Sequence, residues 1–225
     1  MTDPLAPVVP AYFHPAVAGE EWRTLSGVAD SVRLVVANVA SGSGEVADAA
    51  YVEAIDRLRR NGVPVAGYVD TDYGHRDRPD ALADVSRYRD WYGVSSVFFD
   101  RVSSGIEHIP HYRALAANSR RLGMELVAFN HGTHPVRDYA EYADLLGTFE
   151  GSFPAYLQTD VPSWVHDYPA QRFFHLLYDT PAMLADTVAT LALERNVGSV
   201  YRTERSGPNP WDMLPASFPT HLATG

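Results

Sequence analysis

Eight short runs rich in Val, Leu, Phe and Tyr recur along the 225 residues, and nearly all end in a polar side chain. They are PVVPAYFH (7–14), RLVVANVA (33–40), PVAGYVDT (64–71), SVFFDR (96–101), ELVAFNH (125–131), LLGTFEG (145–151), RFFHLLY (172–178) and GSVYRTE (198–204). Several are apolar without alternation, as strands covered on both faces are. Between them lie amphipathic stretches predicted as helices. DAAYVEAIDRLRRNG (48–62) puts Tyr51, Ile55 and Leu58 on one face and stops at Gly62. RPDALADVSRYRDWYG (78–93) opens with Pro and Asp and closes on Gly93, and residues 109–123 and 180–198 follow the same grammar. Eight strand–helix alternations predict an α/β fold with a parallel sheet, closed as a single (β/α)8 TIM-like barrel. An open doubly wound sheet is the alternative. No linker or low-complexity tract divides the chain, so residues 1–225 read as one domain.

Composition removes several function classes. The formal net charge is -10, which argues against nucleic acid and against an anionic membrane surface as partner. There is no Cys, so thiol nucleophiles and thiolate metal sites are absent, and all 18 basic residues are Arg, so no lysine Schiff base can form. The first residues, MTDPLAPVVPAYFHP, lack a basic region followed by an apolar core, and no segment reaches the length of a membrane span. The expectation is a cytoplasmic protein with a carbohydrate or small-molecule substrate and no cofactor; the oligomeric state stays open.

In a barrel of this kind the C-terminal strand ends face the active site. Reading those ends in order gives His14, Asn38, Asp70 with Thr71 and Tyr73, Asp100 with Arg101, Asn130 with His131, Glu150, Tyr178 and Glu204. So many polar ends point to a shared wet cavity. Asp100 and Glu150 close strands two apart, and a carboxylate pair across a cleft suits glycoside hydrolysis. Each follows Phe, which favours partial desolvation and a raised carboxyl pKa. The structural alternative is that Glu150 caps the next segment and Asp100 pairs with Arg101. HIPH (108–111) and HGTH (131–134) each hold two His three apart but have no third ligand at fixed spacing, so no metal is expected. SGSG (41–44) lacks the spacing of a phosphate loop and reads as a tight turn. Trp91 and Tyr92 read as helix packing, and Trp211, in NPW, as a rim or as a latch onto the barrel.

The motifs VPAYFHP, ANVASGSG, GYVDTDYG, WYGVSSVFFDRVSSG, FNHGT, FEGSF and NPWDMLP, in that order, resemble spherulin-4-like proteins over nearly the whole chain. The resemblance implies a barrel related to glycoside hydrolases acting on α-1,4-linked N-acetylgalactosamine or galactosamine polymers. It carries the acid roles to Asp100 and Glu150, and places Asn38, Thr71, Tyr73 and Asn130 along a substrate groove. The family pattern has Glu after the Asp where this chain has Arg101, and often Pro where it has His131. An Arg beside Asp100 is expected to lower that carboxyl's pKa, leaving Glu150 as the better proton donor. It is also expected to favour a neutral or anionic ligand over a cationic one, with the VSSG turn (102–105) swinging Arg101 over the cavity. Two further readings follow: an intracellular small-molecule tailoring enzyme that has lost polymer cleavage, and a non-catalytic carbohydrate-binding barrel.

Overall fold

The computed structural model describes residues 5–218; the remaining ends of the span read as one domain, residues 1–4 and 219–225, lie outside the described residues. Eight parallel strands form one sheet in sequential order: β1 (Val8–Ala11), β2 (Leu34–Ala37), β3 (Val65–Asp70), β4 (Ser96–Asp100), β5 (Leu126–Asn130), β6 (Leu145–Ser152), β7 (Phe173–Tyr178) and β8 (Val200–Arg202). β8 returns beside β1. The seam there is sealed without a described strand ladder. The Val8 backbone N–H donates to Ser199 Oγ at 3.0 Å, and the Tyr12 N–H donates to the Trp211 carbonyl at 3.3 Å. The result is a nearly closed TIM-like barrel.

The helices depart from eight regular units. α1 (Gly19–Ser26), α2 (Ala49–Arg60), α3 (Arg78–Tyr92), α4 (Ile109–Arg121) and α6 (Ala185–Glu194) pack around the barrel, but α5 (Phe153–Tyr156) has four residues. Only 3₁₀ turns join β5 to β6, so the expected eight strand–helix alternations are eight strands with fewer helices. Local chemistry explains the regular ones. Asp48 caps α2, its carboxylate accepting the Ala50 and Tyr51 N–H groups, while Tyr51, Ile55 and Leu58 are buried. α3 ends at Gly93 in the left-handed region, φ 66°. No helix among the described residues is long and apolar enough to cross a membrane.

Inward side chains fill the barrel and leave its upper layer polar. Tyr68, Phe98 and Phe174 stack across the interior, with ring centroids 6.4 and 5.7 Å apart. Above them stand the strand ends. One irregularity sets the site. Gly147 pairs with Phe174, yet Phe149 pairs with the next residue, His175, leaving Thr148 as an extra residue in β6. This β-bulge reverses the alternation, so Glu150 shares the register, and therefore the inward face, of Leu176. Thr148 is held from outside: its hydroxyl lies 2.9 Å from His175 Nε2, whose Nδ1 lies 2.9 Å from the Tyr156 hydroxyl, all three residues being buried.

Candidate active site

Asp100 ends β4 and Glu150 sits past the bulge of β6; β5 runs between them and supplies Asn130. The Asn130 amide donates to Asp100 Oδ1 at 2.7 Å and to Glu150 Oε2 at 2.6 Å. Two oxygens on one amide nitrogen can be no further apart than those bonds laid end to end. Each carboxyl has a second donor. The Tyr68 hydroxyl donates to Asp100 Oδ2 at 2.9 Å, and the Trp211 indole N–H donates to Glu150 Oε1 at 3.1 Å. Asn130 is itself wedged: a Cβ on Gly147 would stand 2.3 Å from its Oδ1 and 2.5 Å from the Phe174 ring.

The pair is electrostatically unequal. Burial raises the Asp100 pKa, while Tyr68, Asn130 and the Arg101 backbone N–H pull it back. Burial, and then the charge of Asp100, push Glu150 up to about 7, against the donors Asn130 and Trp211. The first proton to leave comes from Asp100, and its charge keeps the second proton on Glu150.

Two cavities share Glu150 and Tyr178 in their linings. One, of about 630 Å³, is lined by Tyr12, His14, Asn38, Ser41, Tyr68, Glu150, Tyr178 and Trp211 among others. The other, of about 390 Å³, is lined by Tyr73, Asp100, Arg101, Asn130, His131, Glu150 and Tyr178. The mouth therefore brings together His14, Asn38, Tyr73, Asp100, Arg101, Asn130, His131, Glu150 and Tyr178. Asp70 lies at the edge, lining a third hollow with Asp72 and Arg101. His14 is fixed, Nε2 lying 3.1 Å from Asp48 Oδ2 and Nδ1 3.1 Å from the Ala16 N–H. Burial lowers the His131 pKa to about 3, so its imidazole stays neutral.

Four expectations change. Thr71 is fully buried and cannot line a groove; its hydroxyl lies on the Asp100 and Arg101 carbonyls and the Tyr112 hydroxyl, so it holds the end of β4 from below. Glu204 is exposed and accepts from Ser217 Oγ at 3.4 Å, away from both cavities around the carboxylates. The Asp100 pKa rises rather than falls, because burial outweighs its donors, the Arg101 backbone N–H among them. The strand ends at Asp100, Arg101 takes φ 52°, and its guanidinium turns to the rim. There it pairs with Asp70 at 2.8 Å and with Asp72, and lies 5.0 Å from the Tyr73 ring centre. Nor does Arg101 leave an unpaired positive charge at the rim, because Asp70 and Asp72 both pair with its guanidinium.

The remaining motifs are structural. In the SGSG turn, Ser43 donates to the buried Asp84 at 2.6 Å and Gly42 leaves no room for a Cβ beside it. Tyr92 packs inside and donates to the Ser43 carbonyl. No group of three or more His, Asp or Glu positioned to hold a metal occurs among the described residues. Reading strand ends alone missed Tyr68, Tyr12 and the Trp211 contact. Period-two alternation back from Asp70 points to Tyr68, but nothing in the sequence places residue 211 beside residue 150.

A family model described as spherulation-specific family 4 matches residues 7–224. Spherulin-4 of Physarum polycephalum is 27% identical over 217 residues, which cover 90% of this chain and 64% of that protein; the chain thus spans less than two thirds of that relative. Among solved structures, Aspergillus clavatus Sph3 in complex with GalNAc matches with TM-score 0.82 at 21% identity, over 99% of this chain and 98% of that one. A chitinase from Chromobacterium violaceum matches with TM-score 0.60 at 15% identity, over 98% and 100% of the two chains. At these identities the structural likeness shows the barrel fold.

Proposed function

The chain belongs to spherulation-specific family 4, and from that premise we propose that it is a glycoside hydrolase cleaving α-linked amino-sugar glycans at the junction of its two mouth cavities. The observation that carries the reading is the Asp100–Asn130–Glu150 bridge, two carboxyls of unequal acidity held on one amide. Glu150, protonated near neutral pH, donates to the departing glycosidic oxygen. Asp100, ionised, faces the positive charge that develops at the anomeric carbon and bonds to it as the glycosidic C–O bond breaks; water, giving its proton to the now ionised Glu150, then cleaves that glycosyl ester and frees Asp100. The shared donor keeps the nearest oxygens within the roughly 5–5.5 Å of retaining pairs and short of the roughly 6.5–9.5 Å of inverting ones, which supports a retaining course. Cavities on both sides of Glu150 accommodate sugar units on either side of the bond. The GalNAc bound to Sph3 supports an amino-sugar ligand.

The test is incubation with α-1,4-linked N-acetylgalactosamine oligomers, acetylated and partly deacetylated, with products followed by mass spectrometry. The wild type is expected to release shorter oligomers, while Glu150→Gln and Asp100→Asn lose at least about 10²-fold in rate, the scale of an acid–base group. Binding without cleavage that survives both substitutions would identify a carbohydrate-binding barrel instead.

A further inference from the structure

Several tyrosines near the mouth have their hydroxyls engaged by protein. Tyr68 donates to Asp100, Tyr51 to the Asn38 carbonyl, and Tyr88 to the Ala37 and Gly42 carbonyls. Tyr12 does not. It stands one residue beyond β1, and its backbone is tied to the 207–211 segment by the Trp211 carbonyl and the Asn209 side chain. Its ring meets Tyr68 edge-on, with centroids 5.3 Å apart. The residue lines the larger cavity with Glu150, and its hydroxyl bonds no described residue and is not sealed from the cavity.

We propose that Tyr12 is a further substrate-contacting residue of this site, donating its phenol O–H to the acetamido carbonyl of the sugar bound at the carboxylate pair. The inference rests on the hydrolase reading and names the substituent recognised.

An acetamido carbonyl can only accept; ionised Asp100 repels it and the proton on Glu150 goes to the glycosidic oxygen, so another N–H or O–H must face it. The donors bonded to the carboxyl pair are already engaged: the Asn130 amide by both carboxyls, Tyr68 by Asp100, and Trp211 by Glu150. The Tyr178 phenol also lacks a bonded partner and lines both cavities, its ring edge-on to Trp211 with centroids 6.1 Å apart, whereas the Tyr12 ring meets Tyr68, the residue bonded to Asp100. Burial, and then the charge of Asp100, hold the Tyr12 pKa well above the ordinary value, so its hydroxyl stays a neutral donor. An unacetylated amino group is different. An ammonium has three donors and no acceptor, so it meets the carboxylates directly and has no need of the phenol hydrogen.

The experiment is Tyr12→Phe, which keeps the ring and its contact with Tyr68. On fully N-acetylated oligomers kcat/KM is expected to fall about 10- to 100-fold, the range for deleting one donor to a buried acceptor. On de-N-acetylated oligomers it is expected to change less than about twofold. An equal loss on both substrates, or none on the acetylated one, overturns the assignment. If the wild type cleaves neither oligomer, the hydrolase reading fails separately, and NMR titration with free GalNAc and galactosamine decides on Tyr12. Selective weakening of GalNAc binding in Tyr12→Phe upholds the contact. Equal weakening, unchanged binding, or no GalNAc binding by the wild type overturns it.

Discussion

Replacing Asn130 with Ala removes the one amide that serves both carboxyls, and its effect can be worked out in sign and size. A hydrogen bond to a charged group contributes about 1.5–3 kcal/mol. The bond to Glu150 favours the ionised carboxylate, so its loss disfavours ionisation. At 1.36 kcal/mol per pKa unit, and with water entering the open mouth, the rise is about one unit, from about 7 to about 8. Asp100 loses a donor as well and moves in the same direction. The alkaline limb of kcat/KM, which reports loss of the acid's proton, is therefore expected to move up by about one pH unit. Maximal activity falls about 10- to 100-fold because neither carboxyl is held in place. The checks are a pH–rate profile and carboxyl-carbon NMR of protein labelled at Glu. An alkaline limb that stays at its wild-type position, or moves to lower pH, would refute the reasoning, because it would mean that Asn130 does not stabilise ionised Glu150.

Glu150→Gln is expected to gain stability relative to wild type as pH rises. A carboxyl whose folded pKa is raised contributes stability below its ordinary pKa near 4.5, and that contribution is lost as pH climbs through about 7. Urea titrations at pH 5 and pH 8 should differ by roughly 2–3 kcal/mol in favour of the variant at the higher pH; no difference would place Glu150 in an ordinary environment. Gly147→Ala forces a Cβ to within 2.3 Å of Asn130 Oδ1 and 2.5 Å of Phe174, so a loss of about 1–3 kcal/mol in thermal or urea unfolding is expected, together with loss of turnover. Arg101→Ala should change stability by less than about 1 kcal/mol, because its ion pairs are largely exposed, and should leave the Glu150 titration in place; a large shift would return Arg101 to the catalytic pair.

Strand number, order and the polar mouth were legible because each element carries its own signal. Apolar runs such as VVPA and SVFF can only be covered strands, Asp48 announces a helix start and Gly93 an end. Asp100 followed from position, as the first polar residue after an apolar strand. Glu150 reaches the same mouth by another route. Strict alternation from Gly147 would turn it outward, and it faces inward because Thr148 bulges, its hydroxyl lying on His175 of β7, which in turn meets Tyr156 of α5. Arg101 was misread for a related reason. Adjacency in sequence put its charge beside Asp100, whereas a single left-handed residue carried the guanidinium to Asp70 and Asp72. Trp211 and Asn130 act on Glu150 over separations of 61 and 20 residues, which local patterns do not encode.

Glu150 keeps its proton near neutral pH because burial, and then the charge of ionised Asp100, oppose its loss. Carboxyl-carbon NMR of Glu150 in wild type and in Asp100→Asn tests this without requiring substrate or turnover. The account predicts a midpoint of about 7 in the wild type and a fall of roughly one unit or more when the neighbouring charge is removed. A wild-type midpoint near the ordinary value for Glu, or one that does not move when Asp100 becomes Asn, would contradict it.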